Sequence, residues 1–230
     1  MKIFVIGTGV MGSAIAKVLA GKKHKVFVYD VNFSKASALV KFGVVFDASL
    51  KHLSEADVVI ISVKPYHLGD LNIARKISTK QILVSIAAGV KISKLQKIFD
   101  TKKIVRVMPN LGLSVGQGIA AWRAAGLNNI EKAKVKKLLK DVLENFEVTN
   151  ESRIDAVTAI SGSGPAYFFA FANALQNAAR NLGFDIKTSR ELVEKTFSAA
   201  AALQKKRDLR RANKTGGFQK RHHRASTQNF

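Results

Sequence analysis

Residues 2–12, Lys-Ile-Phe-Val-Ile-Gly-Thr-Gly-Val-Met-Gly, decide the fold of this chain. The apolar run 2–6 predicts a buried strand, and the amphipathic segment 11–20 predicts a helix directly after it. A glycine-rich turn between a strand and a helix is typical of sites that hold the pyrophosphate of a dinucleotide. We therefore predict that a dinucleotide cofactor binds at the turn, whose members are Gly7, Thr8, Gly9, Val10, Met11 and Gly12.

The three glycines of this turn have different expected roles. Gly7 makes the tight turn, Gly9 lets the backbone approach the pyrophosphate, and Gly12 allows close packing of the helix on the strand. Asp30 lies 18 residues beyond Gly12, at the end of a second predicted strand. A carboxylate there accepts hydrogen bonds from the adenine ribose and repels a 2′-phosphate. The cofactor is therefore expected to be NADH or NADPH, and Asp30 favours NADH.

The rest of the chain alternates short apolar runs with amphipathic segments up to about residue 150. Runs without polar alternation favour a parallel sheet that is covered on both faces, and from residue 151 onward the pattern predicts only helix. The fold is thus predicted as α/β, with a Rossmann-type doubly wound sheet over 1–150 and an all-α domain over 151–203. Further strands are predicted at 25–29, 44–46, 58–63, 82–86, 104–107, 117–122 and 146–149, and helices at 34–41 and 128–145.

The charge of the chain is concentrated at its end. The formal net charge is +22, and residues 204–230 hold nine Lys or Arg side chains against one Asp. We predict that 204–230 is a basic, disordered tail and that the remaining charge is solvated, because the basic residues are not interleaved with aromatic ones. Nucleic acid and membranes are not expected as partners. The absence of cysteine fits a reducing compartment, and the predicted location is cytoplasmic.

A second motif, Ser-Gly-Ser-Gly-Pro-Ala-Tyr, occupies residues 161–167. Pro165 suits the first position of a helix, and Ser163 or Gly164 could cap that helix just before it. A helix start of this kind can bind an anion. The alternative interpretation is a tight turn into a core helix with no ligand.

Five blocks of this chain resemble the pyrroline-5-carboxylate reductase family over about residues 1–217. The last two blocks, in this order and spacing, are specific to that family. The blocks are the glycine turn 7–12, Ser-Val-Lys-Pro at 62–65, Ser-Ile-Ala-Ala-Gly at 85–89, Val-Arg-Val-Met-Pro-Asn at 105–110, and Asp-Ala-Val-Thr-Ala-Ile at 155–160 running into 161–167. The resemblance implies hydride transfer from NAD(P)H to the C=N carbon of 1-pyrroline-5-carboxylate, which gives proline, and it implies a homo-oligomer.

The resemblance also implies roles for individual residues. No metal is expected, because the five histidines include no pair with metal-binding spacing. The expected catalytic positions are Lys64, Ser161, Ser163, Gly164 and Pro165, and the expected substrate-binding positions are Gly216 and Gly217. Cofactor contacts beyond the glycine turn and Asp30 are expected at Val63, Lys64, Pro65, Ala87, Ala88, Gly89, Met108, Pro109 and Asn110.

Two departures from the family pattern keep other functions open. Leu111 and Gly112 stand where the family continues Thr-Pro, and Gln219 stands where its substrate-carboxylate block has a threonine. Beyond that block the family's interface helices are not recognisable, so we expect the helical domain to be truncated and the oligomer to be uncertain. A degenerate relative that binds NAD(P)H with little turnover, or a basic nucleic-acid-binding protein that reuses the fold, are the alternatives.

Overall fold

The strands lie in one sheet. The computed structural model describes residues 1–71, 73 and 77–206, and within these ranges it contains eight strands. Each coincides with a predicted strand or overlaps one. The strands are β1 Lys2–Ile6, β2 Lys25–Tyr29, β3 Val45–Phe46, β4 Val58–Ile61, β5 Ile82–Ser85, β6 Ile104–Pro109, β7 Ile119–Ala125 and β8 Glu144–Glu147.

The strand order places the candidate ligand-binding segments at one edge. The order is β3-β2-β1-β4-β5-β6-β7-β8, and the five pairs formed among β1 to β6 are all parallel. The carboxyl ends of six strands therefore share an edge, and the chain winds in opposite directions from the β1/β4 pair, where such sheets bind ligands. The doubly wound sheet is confirmed. Strand β7 runs antiparallel to β6 and parallel to β8. Strands β7 and β8 therefore depart from the predicted parallel pattern.

The predicted helices are present, and two of them are shorter than expected. The predicted helix 128–145 ends at Val142, because strand β8 begins at Glu144. The predicted helix 34–41 ends at Ser37, because the chain tightens into a 3-10 turn at Val40–Phe42 that directs Leu39 into the core. The helices are α1 Val10–Gly21, α2 Phe33–Ser37, α3 Ile92–Phe99, α4 Asn129–Val142, α5 Ser152–Val157, α6 Gly164–Asn181 and α7 Ile186–Lys206.

Alternate residues of the central strands bury against two apolar clusters, one on each face of the sheet. In β1, Ile3 and Val5 pack on the face that α1 and α4 cover, whereas Phe4 and Ile6 pack on the face that α3 covers. All four side chains are almost fully buried. Burial on both faces explains why these strands are apolar throughout instead of alternating.

Two compact units make up the chain, Met1–Pro165 and a second that begins at Ala166. The first extends past residue 150 because Ile154 of α5 packs on Ala121 and Val148. The expected substrate residues Gly216 and Gly217 and the tail residues 207–230 lie outside the described residues. In the described ranges, no helix is both long enough and apolar enough to span a membrane.

Candidate active site

The glycine turn has no room for side chains at two of its three glycines. Gly7 has a φ of +93°, and a Cβ there would lie 2.7 Å from the Ser62 carbonyl oxygen. A Cβ at Gly12 would overlap the Gly7 carbonyl oxygen and approach Ser62 Oγ to 2.8 Å. Both positions therefore require glycine so that β1, α1 and the residue after β4 can pack closely.

Gly9 differs, because protein packing gives no reason for a glycine there. A Cβ at Gly9 would meet no atom within 4 Å, and no side chain caps the amides of α1 that begin beside it. Ser62 Oγ, next to the turn, is buried and has no hydrogen-bond partner within the described part of the chain. Open space, free helix amides and an unsatisfied hydroxyl fit the pyrophosphate of a dinucleotide.

The Asp30 carboxylate is held against the turn. Its Oδ2 accepts hydrogen bonds from Thr8 N at 2.6 Å and Thr8 Oγ1 at 2.9 Å, and its Oδ1 accepts one from Asn32 N at 2.9 Å. Burial raises the pKa of this carboxyl, but the hydrogen bonds from Thr8 and Asn32 and the charge of Lys35 outweigh it, so the pKa lies below its usual value. Asp30 is therefore ionised at neutral pH. It uses three of about four acceptor positions, which leaves room for one ribose hydroxyl.

The segment after β4 lies beside the glycine turn, at the point where the strand order reverses. Ser62 N donates to the Ile6 carbonyl at 2.8 Å, and a Cβ at Gly7 would lie 2.9 Å from Val63 Cγ1. Lys64 is exposed and precedes the 3-10 turn Pro65–His67, which Pro65 begins. The structure thus brings the 62–65 segment to the cofactor turn, with the Lys64 ammonium group in solvent.

The segments that follow β5 and β6 lie at the same edge of the sheet as the glycine turn. Ala87 is buried, Ala88 is exposed, and Gly89 has a φ of +71° in the turn that leads to α3. Asn110 connects the end of β6 to the start of β7. Its Oδ1 accepts a hydrogen bond from Ile119 N at 3.1 Å, and its backbone N–H donates to the Ile119 carbonyl at 3.2 Å. Of the 108–110 segment, Pro109 is buried and Met108 is half-buried.

Residues 161–165 lie where a π-helical turn passes into helix α6. Thr158–Gly162 is a π-helical turn that continues α5, and Ser163 N donates to the Thr158 carbonyl five residues earlier at 2.8 Å. Ser163 has right-handed helical dihedrals instead of the extended ones usual for an N-cap. The predicted helix with Pro165 in its first turn is present, because α6 begins at Gly164. π-helical turns are frequent at functional sites.

The π-helical turn packs on the end of β6. A Cβ at Gly162 would lie 3.0 Å from Met108 Cε, so the missing side chain lets the turn approach this strand closely. Ser161, Ser163 and Pro165 are partly exposed, whereas Gly164 is buried. The structure therefore joins two of the predicted site segments, 108–110 and 161–165.

Sequence reasoning gave no role to Arg106, which the structure places close to these segments. Arg106 lies in β6 and is 2% exposed, with both of its terminal nitrogens bonded to carboxylates of Glu151 and Asp155. The signal was present in the sequence, since a single charged residue inside an apolar strand must find partners when it is buried. No group of three or more His, Asp or Glu side chains in the described ranges is arranged to hold a metal ion.

Known proteins are similar in sequence to this chain over nearly its whole length. A pyrroline-5-carboxylate reductase of Aquifex aeolicus is 35% identical over 210 residues, which are 89% of this chain and 78% of the relative. One from Arabidopsis thaliana is 32% identical over 214 residues, covering 89% of this chain and 77% of the relative.

The chain belongs to the pyrroline-5-carboxylate reductase family.

Two family models and a solved structure also match this reductase-family chain. Residues 2–89 match the model described as NADP oxidoreductase, coenzyme F420-dependent, and residues 151–217 match pyrroline-5-carboxylate reductase dimerisation. The crystal structure of Plasmodium falciparum pyrroline carboxylate reductase with NADP bound has a TM-score of 0.78 and 29% identity, covering 90% of this chain and 80% of that one.

Proposed function

We propose that this chain is an NAD(P)-dependent reductase that converts 1-pyrroline-5-carboxylate to proline. The observation that supports it most is the common edge formed by the glycine turn, the 62–65 segment and the end of β6, on which the π-helical turn packs. Membership of the reductase family supplies the substrate class.

The chemistry requires positioning more than acid or base catalysis. When bound, the reduced nicotinamide supplies a hydride to the C=N carbon, and the electron pair of the C=N bond moves to the protonated imine nitrogen, which becomes the amine of proline. Because no further proton donor is needed, holding the ring against the cofactor accounts for most of the expected rate. We propose that 161–165 orient the ring and that the exposed Lys64 balances the substrate carboxylate.

The proposed cofactor preference is NADH. The Asp30 carboxylate is ionised and fixed by Thr8 and Asn32, so a 2′-phosphate would meet a negative charge that cannot turn away. The next residue, Val31, is exposed and apolar, and therefore offers such a phosphate no cation. Lys35, whose charge lowers the pKa of Asp30, is the group that opposes this preference.

The proposed assembly is a homo-oligomer formed through the helical domain, taken as residues 151–203. Phe168, Phe169 and Phe171 of α6 each expose more than half of their surface within the second compact unit. Clusters of exposed aromatic side chains are typical of protein–protein interfaces. A cytoplasmic location and the absence of a nucleic-acid partner stay predictions from the sequence.

The test of this function measures reduced-nicotinamide oxidation with 1-pyrroline-5-carboxylate and identifies proline as the product. Gly9→Leu is the cofactor-site variant, because a Cβ at Gly9 would meet no atom of the described residues within 4 Å and the side chain would occupy space beside the α1 amides. Gly21→Leu is its control, since Gly21 ends the same helix and also has nothing within 4 Å of its Cβ position.

We expect Gly9→Leu to weaken cofactor binding at least about tenfold, to abolish turnover and to leave the melting temperature unchanged, whereas Gly21→Leu behaves as wild type. Cofactor binding by wild type without proline formation would instead identify a degenerate relative. Equal cofactor affinity in Gly9→Leu and wild type would refute the cofactor site itself.

A further inference from the structure

Arg106 forms a buried ionic connection between the sheet and α5. Its Nη1 donates to Glu151 Oε1 at 2.9 Å and its Nη2 to Asp155 Oδ1 at 2.5 Å. Glu151 and Asp155 are four residues apart at the start of α5, so both carboxylates face the same guanidinium. A guanidinium that is 2% exposed needs such compensation, and each carboxylate thereby fixes the position of α5 on β6.

The same connection reaches a third segment. Glu151 Oε1 also accepts a hydrogen bond from Ile92 N at 2.7 Å, and Ile92 is the first residue of α3, just after the 87–89 turn. Met108, two residues beyond Arg106 on the same face of β6, is the side chain on which Gly162 packs. The Arg106 guanidinium and its two carboxylates therefore connect the carboxyl ends of β5 and β6 to α5, the helix that leads into 161–165.

We propose that Arg106 is a positioning residue: through Glu151 and Asp155 it sets where 161–165 lie relative to the carboxyl end of β6. The inference rests on the proposed function, in which 161–165 orient the ring against the nicotinamide. Hydride transfer depends steeply on that placement, and a shift of about 1 Å can cost about 100-fold in rate. Cofactor affinity is expected to depend on it only weakly, because the glycine turn and Asp30, which hold the pyrophosphate and ribose, lie at β1 and β2.

Arg123 is a matched control on the next strand. It pairs directly with Arg106 across β6 and β7 and therefore lies on the same face of the sheet. Its own partners are Glu147 of β8, at 3.6 Å, and the Val148 carbonyl, at 3.4 Å. Replacing Arg123 removes an arginine and an ion pair from the same sheet without breaking the Arg106 connection to α5.

The experiment compares wild type with Arg106→Met, Arg106→Lys, Asp155→Asn and Arg123→Met. Hydrogen exchange is followed in peptides that cover 158–165, with peptides of β1 as the internal reference. Cofactor affinity, kcat and KM are measured on the same samples. Asp155→Asn is included because Asp155 is more than half exposed, so that this variant folds even if Arg106→Met does not.

We expect exchange at 158–165 to rise about tenfold in Arg106→Met and to a lesser extent in Asp155→Asn, with β1 unchanged. In Arg106→Met, kcat falls about 100-fold while cofactor affinity stays within about twofold, and Arg106→Lys recovers part of the loss. Arg123→Met leaves exchange at 158–165 and kcat as in wild type.

Unchanged exchange at 158–165 in the folded Arg106 and Asp155 variants would overturn the inference, and so would an equal fall in kcat in Arg123→Met. If wild type forms no proline, the proposed function fails. The exchange comparison still decides the positioning role in that case, because it needs no turnover.

Discussion

We propose that Asp30 decides the choice between NADH and NADPH, since its charge is held by Thr8 and Asn32 beside the expected ribose. Asp30→Asn removes the charge, and we expect the ratio of NADPH to NADH affinity to rise about tenfold, because a unit repulsion of about 1–2 kcal/mol disappears. Titration of both cofactors measures the ratio. Asp57→Asn is the control, since Asp57 lies at the amino end of β4, away from the turn, and accepts from Lys2 N. A ratio that does not move in Asp30→Asn would contradict the NADH proposal.

Asp47 is a second carboxylate with a depressed pKa, and it has a structural role. Burial raises the pKa of its carboxyl, but hydrogen bonds from His52 and Ser49 outweigh burial and place the pKa below the usual value. A depressed folded-state pKa means that the stabilisation is present above the unfolded-state pKa of about 3.9 and is lost as pH falls through the folded-state value.

We therefore expect Asp47→Asn to lower the free energy of unfolding by about 2 kcal/mol at neutral pH, with the difference from wild type shrinking below about pH 4. Denaturant unfolding across this pH range measures the change. The control is Asp70→Asn, which alters an exposed Asp–His pair with His67 and leaves stability unchanged. If the difference in the free energy of unfolding between Asp47→Asn and wild type stays constant down to the lowest pH measured, ionisation of Asp47 is not its cause.

Residues whose role follows from their neighbours in the sequence could be predicted. Residues whose role depends on partners far away in the sequence could not. Gly7 and Gly12 were predicted from the strand-turn-helix context, and the structure gives each a steric reason to be glycine. Arg106 was missed because its partners are 45 and 49 residues away in sequence. The Ser62 hydroxyl, which has no hydrogen-bond partner among the described residues, was also missed, since only packing against Gly12 shows that it is buried.

Helix α4 shows how a local sequence signal fixes the start of an element. Asn128 Oδ1 accepts a hydrogen bond from Glu131 N at 2.9 Å, and Glu131 Oε2 accepts one from Asn128 N at 3.0 Å. This capping box satisfies two backbone donors. We expect Asn128→Ala to cost about 1 kcal/mol and to lower the melting temperature by about 2–4 °C. Thermal unfolding measures it beside Asn129→Ala, which alters the exposed next residue. Equal melting temperatures for the two variants would refute the capping role.

For secondary-structure elements, the position of a strand or helix in the sequence was easier to predict than the direction of a strand or the type of a helix. Continuous apolar runs located the strands, but an apolar run carries no information on direction, so the antiparallel β7 was not foreseen. The π-helical turn at Thr158–Gly162 was not foreseen, because the Gly and Ser residues from 161 onward suggest a helix start or a tight turn there. Its hydrogen bond from Ser163 N to the Thr158 carbonyl forms where α5 is already held on the sheet, which no local pattern shows.

The whole molecule has an uneven distribution of buried apolar surface. The first compact unit buries its apolar side chains on both faces of the sheet, whereas α6 of the second exposes a row of phenylalanines. Phe168 and Phe171 contact the ring of Phe197 on α7, with ring centroids 6.4 and 5.8 Å apart, so these two help to join the helices. Phe169 is 63% exposed and has no ring contact of this kind among the described residues.

We expect Phe169→Glu to convert the homo-oligomer to monomers, because a charge at the centre of an apolar interface has no partner and a stable interface needs about 800 Å² per subunit. Sedimentation equilibrium measures the mass. Ile130→Glu is the control, since Ile130 is 71% exposed on α4 of the first unit and the same charge there leaves the mass unchanged. A Phe169→Glu variant with the wild-type mass would place the interface elsewhere, and a wild-type chain that sediments as a monomer would refute the proposed assembly.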